Sequence, residues 1–164
     1  MTAPLAHLKS GGIILPAAFR AFRTLQEPAY RAYTEAHASP GDTELLLGIA
    51  FGELAAHWSV IMLRPDPTAY AWDLFTATIS HHARRLKLST TDPLQYEVVV
   101  LHHLAGYDID HTSEATGRSR DKVRHLLHTW HPRPLAPSQA NTSAKRAGTD
   151  PRVCDRGRTE AAHK

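Results

Sequence analysis

Apolar residues recur at steps of three and four along most of this chain, and strand-like alternation is almost absent. A period near 3.6 lines one face of an α-helix, whereas a half-buried strand needs a period of two. The pattern therefore directs 164 residues towards an all-α fold, as one ordinary domain or two very small ones. A barrel or doubly wound sheet fits poorly for want of strands, and a large multidomain enzyme is excluded by length. With 42% apolar residues the chain can bury a real core.

Phe19, Phe22, Leu25, Ala29, Tyr30 and Tyr33 predict a helix from Ala17, with Pro28 inside the pattern. That proline either kinks the helix or starts a second one after Glu27. Ala38-Ser39-Pro40-Gly41 predicts a turn, after which Asp42 is placed to cap a new helix. The stripe Leu47, Ala50, Phe51, Leu54, Trp58, Ile61 and Met62 carries that helix through Leu63. Gly48 and Gly52 within it each cost about 1 kcal/mol relative to alanine. Their spacing either admits a neighbouring helix closely or marks two tolerated glycines. Pro65-Asp66-Pro67 ends the helix, and another is expected from about 68 to 87, with Tyr70, Trp72, Leu74, Phe75, Ile79 and Leu86 apolar. A first helical unit thus spans 17–87. It follows a loose arm, 1–16, whose Ile13-Ile14-Leu15 patch could dock on the body.

A polar joint, 88–92, leads to a second unit at 93–131. Leu94, Val98, Leu101 and Leu104 predict a helix that Gly106 ends. Asp108 or Asp110 caps a short helix reaching Thr116, Gly117 makes a tight turn, and Ser119 caps a last helix with Val123, Leu126, Leu127 and Trp130. Leu101, Leu104, Val123 and Leu127 are the expected core of this unit. Residues 132–164 are rich in Pro, Ser, Thr, Ala, Gly and charge. They hold too little apolar surface to offset chain entropy, so a disordered tail is expected.

Two short helices joined by a glycine turn, the second capped by serine and rich in basic groups, suggest a helix-turn-helix. The residues placed to meet DNA are Arg118, Ser119, Arg120, Lys122, Arg124, His125 and His128. Guanidinium groups pair bidentately with guanine or hold phosphates, which suits the major groove. Charge works against tight binding by this unit alone. Residues 92–131 hold four Lys/Arg against six Asp/Glu, and the excess that makes the chain +3 lies in the tail, with seven against three. Phosphate attraction normally dominates affinity.

The run Leu94-Gln95-Tyr96-Glu97-Val98-Val99-Val100-Leu101-His102-His103-Leu104-Ala105-Gly106 resembles the opening of the fourth region of bacterial RNA polymerase sigma factors. The extracytoplasmic-function type of the sigma-70 family is nearest in style. Glu114, Gly117, Ser119, Val123, Leu127 and His128 fall where that family's helix-turn-helix commonly has those residue types. Upstream, Tyr30-Arg31-Ala32-Tyr33, then Asp42-Thr43-Glu44 before an apolar helix with Phe51 and Leu54, then Ala71-Trp72, are similar to sigma region two. The resemblance covers roughly residues 19–130 and implies a DNA-binding transcription regulator acting at initiation. Its implied partners are promoter DNA and the RNA polymerase core or a regulatory protein. The chain departs from the family at Leu45-Leu46-Leu47-Gly48-Ile49, which is nearly uncharged where polar and acidic groups engage the polymerase core. Thr112, Ser113 and Leu126 also depart. The joint from Leu88 to Pro93, six residues, reaches roughly 20 Å at full extension, which is short for domains on well-separated promoter elements.

The departures motivate a second expectation, a sigma-like body that no longer reads DNA and binds another regulator or polymerase through the uncharged 45–63 helix. A third would build a hydrolase or metalloprotein on the twelve histidines. The adjacent pairs His81-His82 and His102-His103 diverge by about 100° on a helix and chelate poorly. His125, His128 and His131 could hold zinc only in part. Surface imidazoles that supply hydrogen bonds, or positive charge in mild acid, are the plainer reading, so no metal and no cofactor are expected. No phosphate loop, His-Glu-x-x-His or Gly-x-Ser-x-Gly occurs, so no enzyme is expected. The single cysteine, Cys154, cannot form an internal disulfide or a cysteine zinc cluster. Without a signal-like start or a run of roughly 18 apolar residues, a cytoplasmic protein with no membrane contact is expected.

Overall fold

The computed structural model describes residues 15–131. Seven α-helices occur among them: α1 (Ala17–His37), α2 (Thr43–Ala56), α3 (Trp58–Met62), α4 (Pro67–His82), α5 (Pro93–Val99), α6 (Ile109–Thr116) and α7 (Arg120–Thr129). The described residues contain no strand, and the fold is all-α. The tail expected at 132–164 and residues 1–14 of the arm lie outside the described residues; Leu15 packs against the core.

Pro28 neither ends nor divides α1, which runs unbroken for 21 residues. Pro28 and Thr24 both face solvent, so water can satisfy the Thr24 carbonyl that loses its helical donor. Leu25, counted with the apolar stripe, is exposed, and Gln26 is buried beside it. Tyr30 is the hub of the aromatic core, its ring centroid 4.2 Å from Phe75, 5.1 Å from Trp72 and 5.6 Å from Phe51.

The helix expected from 43 to 63 divides at His57, which leaves helical geometry at φ −98°, ψ 8°. Asp42 does not cap α2; it lies in the right-handed helical region and its carboxylate accepts from the Ser39 hydroxyl instead. Asp66 caps α4, accepting from Ala69 N at 2.9 Å with Pro67 in the first turn. α4 ends at His82, short of the expected 87. Leu86 and Leu88 still reach the core, but from a non-helical segment. A buried leucine there extended the apolar pattern without extending the helix.

Helices on both sides of the 83–92 segment share one core, in which Tyr96, Val100, Leu101 and Ala115 join Tyr30, Phe51, Trp72 and Phe75. A smaller cluster holds Val98, Val123 and Leu126. Two expected core positions are corrected. Leu104 is 54% exposed, and Leu126, 3% exposed, is buried where Leu127 is only half-buried. The cause for Leu104 is a π-helical stretch, Val100–Leu104, closed by Ala105 N donating to Val100 O at 3.0 Å. The wider turn inserts a residue and rotates Leu104 off the stripe. Ahead of it Val98, Val99, Val100 and Leu101 are all fully buried, so this segment is enclosed on every side.

The close helix approach sought at Gly48 and Gly52 is absent, since a Cβ at either would meet nothing within 4 Å. It occurs at Gly117, which has φ +65° and sits against the start of α4. A Cβ there would lie 2.3 Å from Ala69 N.

Candidate functional site

α6 and α7 are joined by Gly117, Arg118 and Ser119. Asp108 caps α6, accepting from His111 N at 2.8 Å, and Ser119 caps α7, accepting from Lys122 N at 3.3 Å. The Ser113 hydroxyl donates to Arg118 O and ties the turn back onto α6. Thr112, an odd polar residue for an inward position, is fully buried, and its hydroxyl oxygen lacks a partner among the described residues. Val123 and Leu126 fix the inward direction of α7. At about 100° per residue the outward direction then falls near Asp121, Arg124, His125 and His128, with Arg120 and Lys122 on the flanks.

Arg120, Lys122, Arg124, His125 and His128 are exposed together on α7. Arg118 stands apart from them. It is half-buried, and its Nη2 donates to both carboxylate oxygens of Asp73 on α4, at 2.7 and 2.8 Å. It fastens the turn to α4 rather than joining the outer face, and its Nε is buried without a partner among the described residues. Ser119 is used by its cap. Two further arginines carry carboxylates: Arg120 Nε lies 2.9 Å from Asp110, and Arg124 Nη1 2.8 Å from Asp121. Both pairs are largely exposed, so each is worth little in stability. Lys122 makes no ion pair among the described residues. Sequence reading found the cations and missed their partners. Asp121 lies three residues from Arg124, a legible helical spacing, whereas Asp73 and Asp110 reach their arginines only through the tertiary fold.

The histidines do not gather. Among the described residues no three His, Cys, Asp or Glu side chains come close enough to share a metal. His103 packs on Trp130 with ring centroids 4.8 Å apart. No helix among the described residues is long and apolar enough to cross a membrane.

A second locus carries chemistry that no motif announced. Glu97 on α5 is buried among α1, α4 and α5, and Trp72 Nε1 donates to its Oε2 at 2.8 Å. Burial pushes its carboxyl up to about 7, with the nearby charge of Asp73 adding to the rise and hydrogen bonds from Trp72 and Thr76 opposing it. A cavity of about 400 Å³ opens beside it, lined in part by Tyr33, His37, Asp73, Thr76 and Tyr96. His37 Nδ1 lies 2.7 Å from the Tyr33 carbonyl and Nε2 2.7 Å from the Tyr96 hydroxyl. A carbonyl only accepts, so Nδ1 carries the hydrogen and Nε2 accepts from Tyr96. The Tyr96 oxygen in turn accepts from Leu86 N at 2.8 Å. This chain holds a neutral imidazole, and burial lowers the affinity of His37 for a second proton.

Glu97 gives stability a pH dependence of unusual sign. An unfolded glutamate titrates near 4.5 and the folded one near 7, so the folded state holds more protons between those values. Stability from this group is therefore present below about pH 4.5 and is lost as pH rises through 7, by on the order of 3 kcal/mol. His37, lowered below 6.5, works in the opposite direction in the lower part of that window. Urea melts at pH 5 and pH 8 should show Glu97→Gln losing less stability with rising pH than the parent. An equal loss would move the source elsewhere.

Neither a family model, nor a curated protein, nor a solved structure matches this chain.

Proposed function

We propose that α6, the Gly117–Ser119 turn and α7 act as a DNA-reading helix-turn-helix in a sigma-factor-like regulator of transcription initiation. The observation that carries this reading is the exposed row Arg120, Lys122, Arg124, His125 and His128 on a helix capped at its start by Ser119. The rear of that helix is fixed by Val123 and Leu126, and the turn is fastened to α4 by Arg118 and Asp73. Such a helix presents its polar side chains without needing to refold. Arg120 and Arg124 are the base or phosphate contacts, and Lys122 holds phosphate.

Asp110 and Asp121 compete with DNA for these arginines. Binding requires both pairs to open, and together with the net acidic count this makes the parent a weak binder. Fluorescence anisotropy at low salt, with a pool of genomic promoter fragments, tests the reading. Arg120→Ala or Arg124→Ala is expected to cost about 1–3 kcal/mol of binding, with the melting temperature nearly unchanged. Asp121→Asn releases Arg124 and removes a negative charge from the outermost position of the helix, so it is expected to tighten binding. Folded parent protein that binds no fragment at low salt would discard the DNA reading.

A second reading rests on a separate observation. Leu45, Ile49, Val60, Met62 and Leu63 stand exposed along α2 and α3. Apart from Thr43, Glu44 and Glu53, α2 carries only apolar residues and glycine, including those on its outward side. This favours a protein-interaction module that meets another regulator or polymerase through α2 and α3. Capture of polymerase subunits without DNA in a native pull-down, abolished by Leu45→Lys, separates this reading from the first.

A further inference from the structure

We propose that the cavity between α1, α4 and α5 is a binding site for a small organic cation, an ammonium group carried on a compact aromatic or aliphatic body. Its volume, about 400 Å³, falls in the range of small-molecule sites, roughly 300–1,000 Å³. Its polar groups are unusual for mere packing. Glu97, 9% exposed, lines the cavity, and among the described residues no cation pairs with it. Tyr33, 4% exposed, lines the same cavity, and its hydroxyl makes no hydrogen bond among the described residues. Trp72 Nε1 donates to Glu97, but a buried carboxylate charge without an opposite charge in contact is costly, and an incoming ammonium would supply that charge.

The surrounding charges select the sign of the ligand. Asp73 at the rim is already paired with Arg118, which leaves Glu97 as the carboxylate of the wall without an ion pair among the described residues. The nearby cations are already engaged, Arg118 by Asp73 and Arg85 over the Tyr96 ring, 4.2 Å from its centroid. Burial, with the Arg85 charge adding to it, lowers the affinity of His37 for a second proton, so His37 offers an anion no charge at pH 8. An anion would meet the Glu97 carboxylate in the wall, whereas an ammonium would pair with that carboxylate beside the Tyr33 hydroxyl. Ile79 and Ala83 supply apolar wall for the body of the ligand.

Isothermal titration of the full chain at pH 8 with phenethylammonium chloride tests this. 2-Phenylethanol and phenylacetate, with the same ring and chain length, serve as neutral and anionic controls. Saturable one-to-one binding of the amine is expected, with each control at least about ten-fold weaker. Glu97→Gln keeps an acceptor for Trp72 Nε1 and removes the charge, and should weaken the amine by at least about ten-fold. Should that variant fail to fold, Ser80→Leu at the exposed rim obstructs entry without touching the core and should have the same effect. Lowering the pH from 8 to 6 should also weaken the amine in the parent, as Glu97 takes up a proton. The groups facing Glu97 are Tyr33 and His37 from α1, Asp73 from α4, Arg85 from the 83–92 segment, Tyr96 from α5 and Arg118 from the turn, so the same titration in Glu97→Gln isolates its share. No saturable heat with the amine up to on the order of 10 mM, equal binding of all three compounds, or binding unchanged in a folded variant would overturn the proposal.

Discussion

Replacing Gly117 with alanine is expected to cost the fold a large fraction of its stability. Two costs combine. The left-handed backbone at φ +65° costs an alanine about 1–2 kcal/mol. The added Cβ also falls 2.3 Å from Ala69 N and 2.8 Å from Ala69 Cα. Those are backbone atoms, and the Ala69 amide is already held by the Asp66 cap. The start of α4 cannot yield without losing that cap, and withdrawing the turn instead breaks the Arg118–Asp73 contact. A total on the order of 4 kcal/mol or more is expected, in the range reserved for steric conflict at a special backbone position. Gly106→Ala is the internal control. Gly106 also has positive φ, +77°, but a Cβ there meets nothing within 4 Å, so only the backbone cost of about 1–2 kcal/mol applies. Urea denaturation followed by circular dichroism reads both variants. Equal losses would mean that the Gly117–Ala69 approach carries no energy.

Leu101→Ala and Leu104→Ala are expected to differ sharply although both residues belong to one apolar stripe in the sequence. Leu101 is fully buried in the main core, and truncation of such a leucine costs about 2–5 kcal/mol. Leu104, beyond the π-helical stretch, is more than half exposed, and its truncation should stay within about 0.5 kcal/mol. The same urea melts distinguish them. Comparable losses would place Leu104 in the core and argue for a regular α-helix through residues 100–104.

Local signals in the sequence translated well. The 3.6 period of Tyr30, Tyr33, Leu47, Phe51, Leu54, Trp72 and Phe75 marks residues that are buried, because period and burial are properties of one helix at a time. Ser119 and Asp108 cap the helices they precede, since a cap needs only a side chain three residues from an amide. Gly117 takes a left-handed turn for the same local reason. Misreadings cluster where one local rule met a competing contact. Asp42 has the right residue type and position for a cap, but Ser39 occupies its carboxylate. The leucine at 86 continues an apolar pattern after the helix has ended, because an extended segment can also bury a leucine.

The basic row on α7 was legible because its members are close in sequence and a helix spaces them predictably. Its electrostatic state was not, since Arg120 reaches back to Asp110 and Arg118 reaches Asp73, 45 residues away. The cavity left still less trace. It depends on His37 meeting Tyr96 across 59 residues and Trp72 meeting Glu97 across 25, and no spacing rule encodes such distances. Glu97 reads in sequence as an ordinary polar residue near the start of an apolar helix. By itself the sequence determined that this protein is helical, where most of its helices begin and which faces are apolar, because those properties follow from contacts within a few residues. Only the tertiary structure decided that a glutamate would be buried without a cation and that Arg118 and Arg120 would find carboxylates on other helices. Those outcomes depend on how separate helices are brought into contact, whereas the outward turn of Leu104 comes from a local π-helical stretch that the apolar period does not announce.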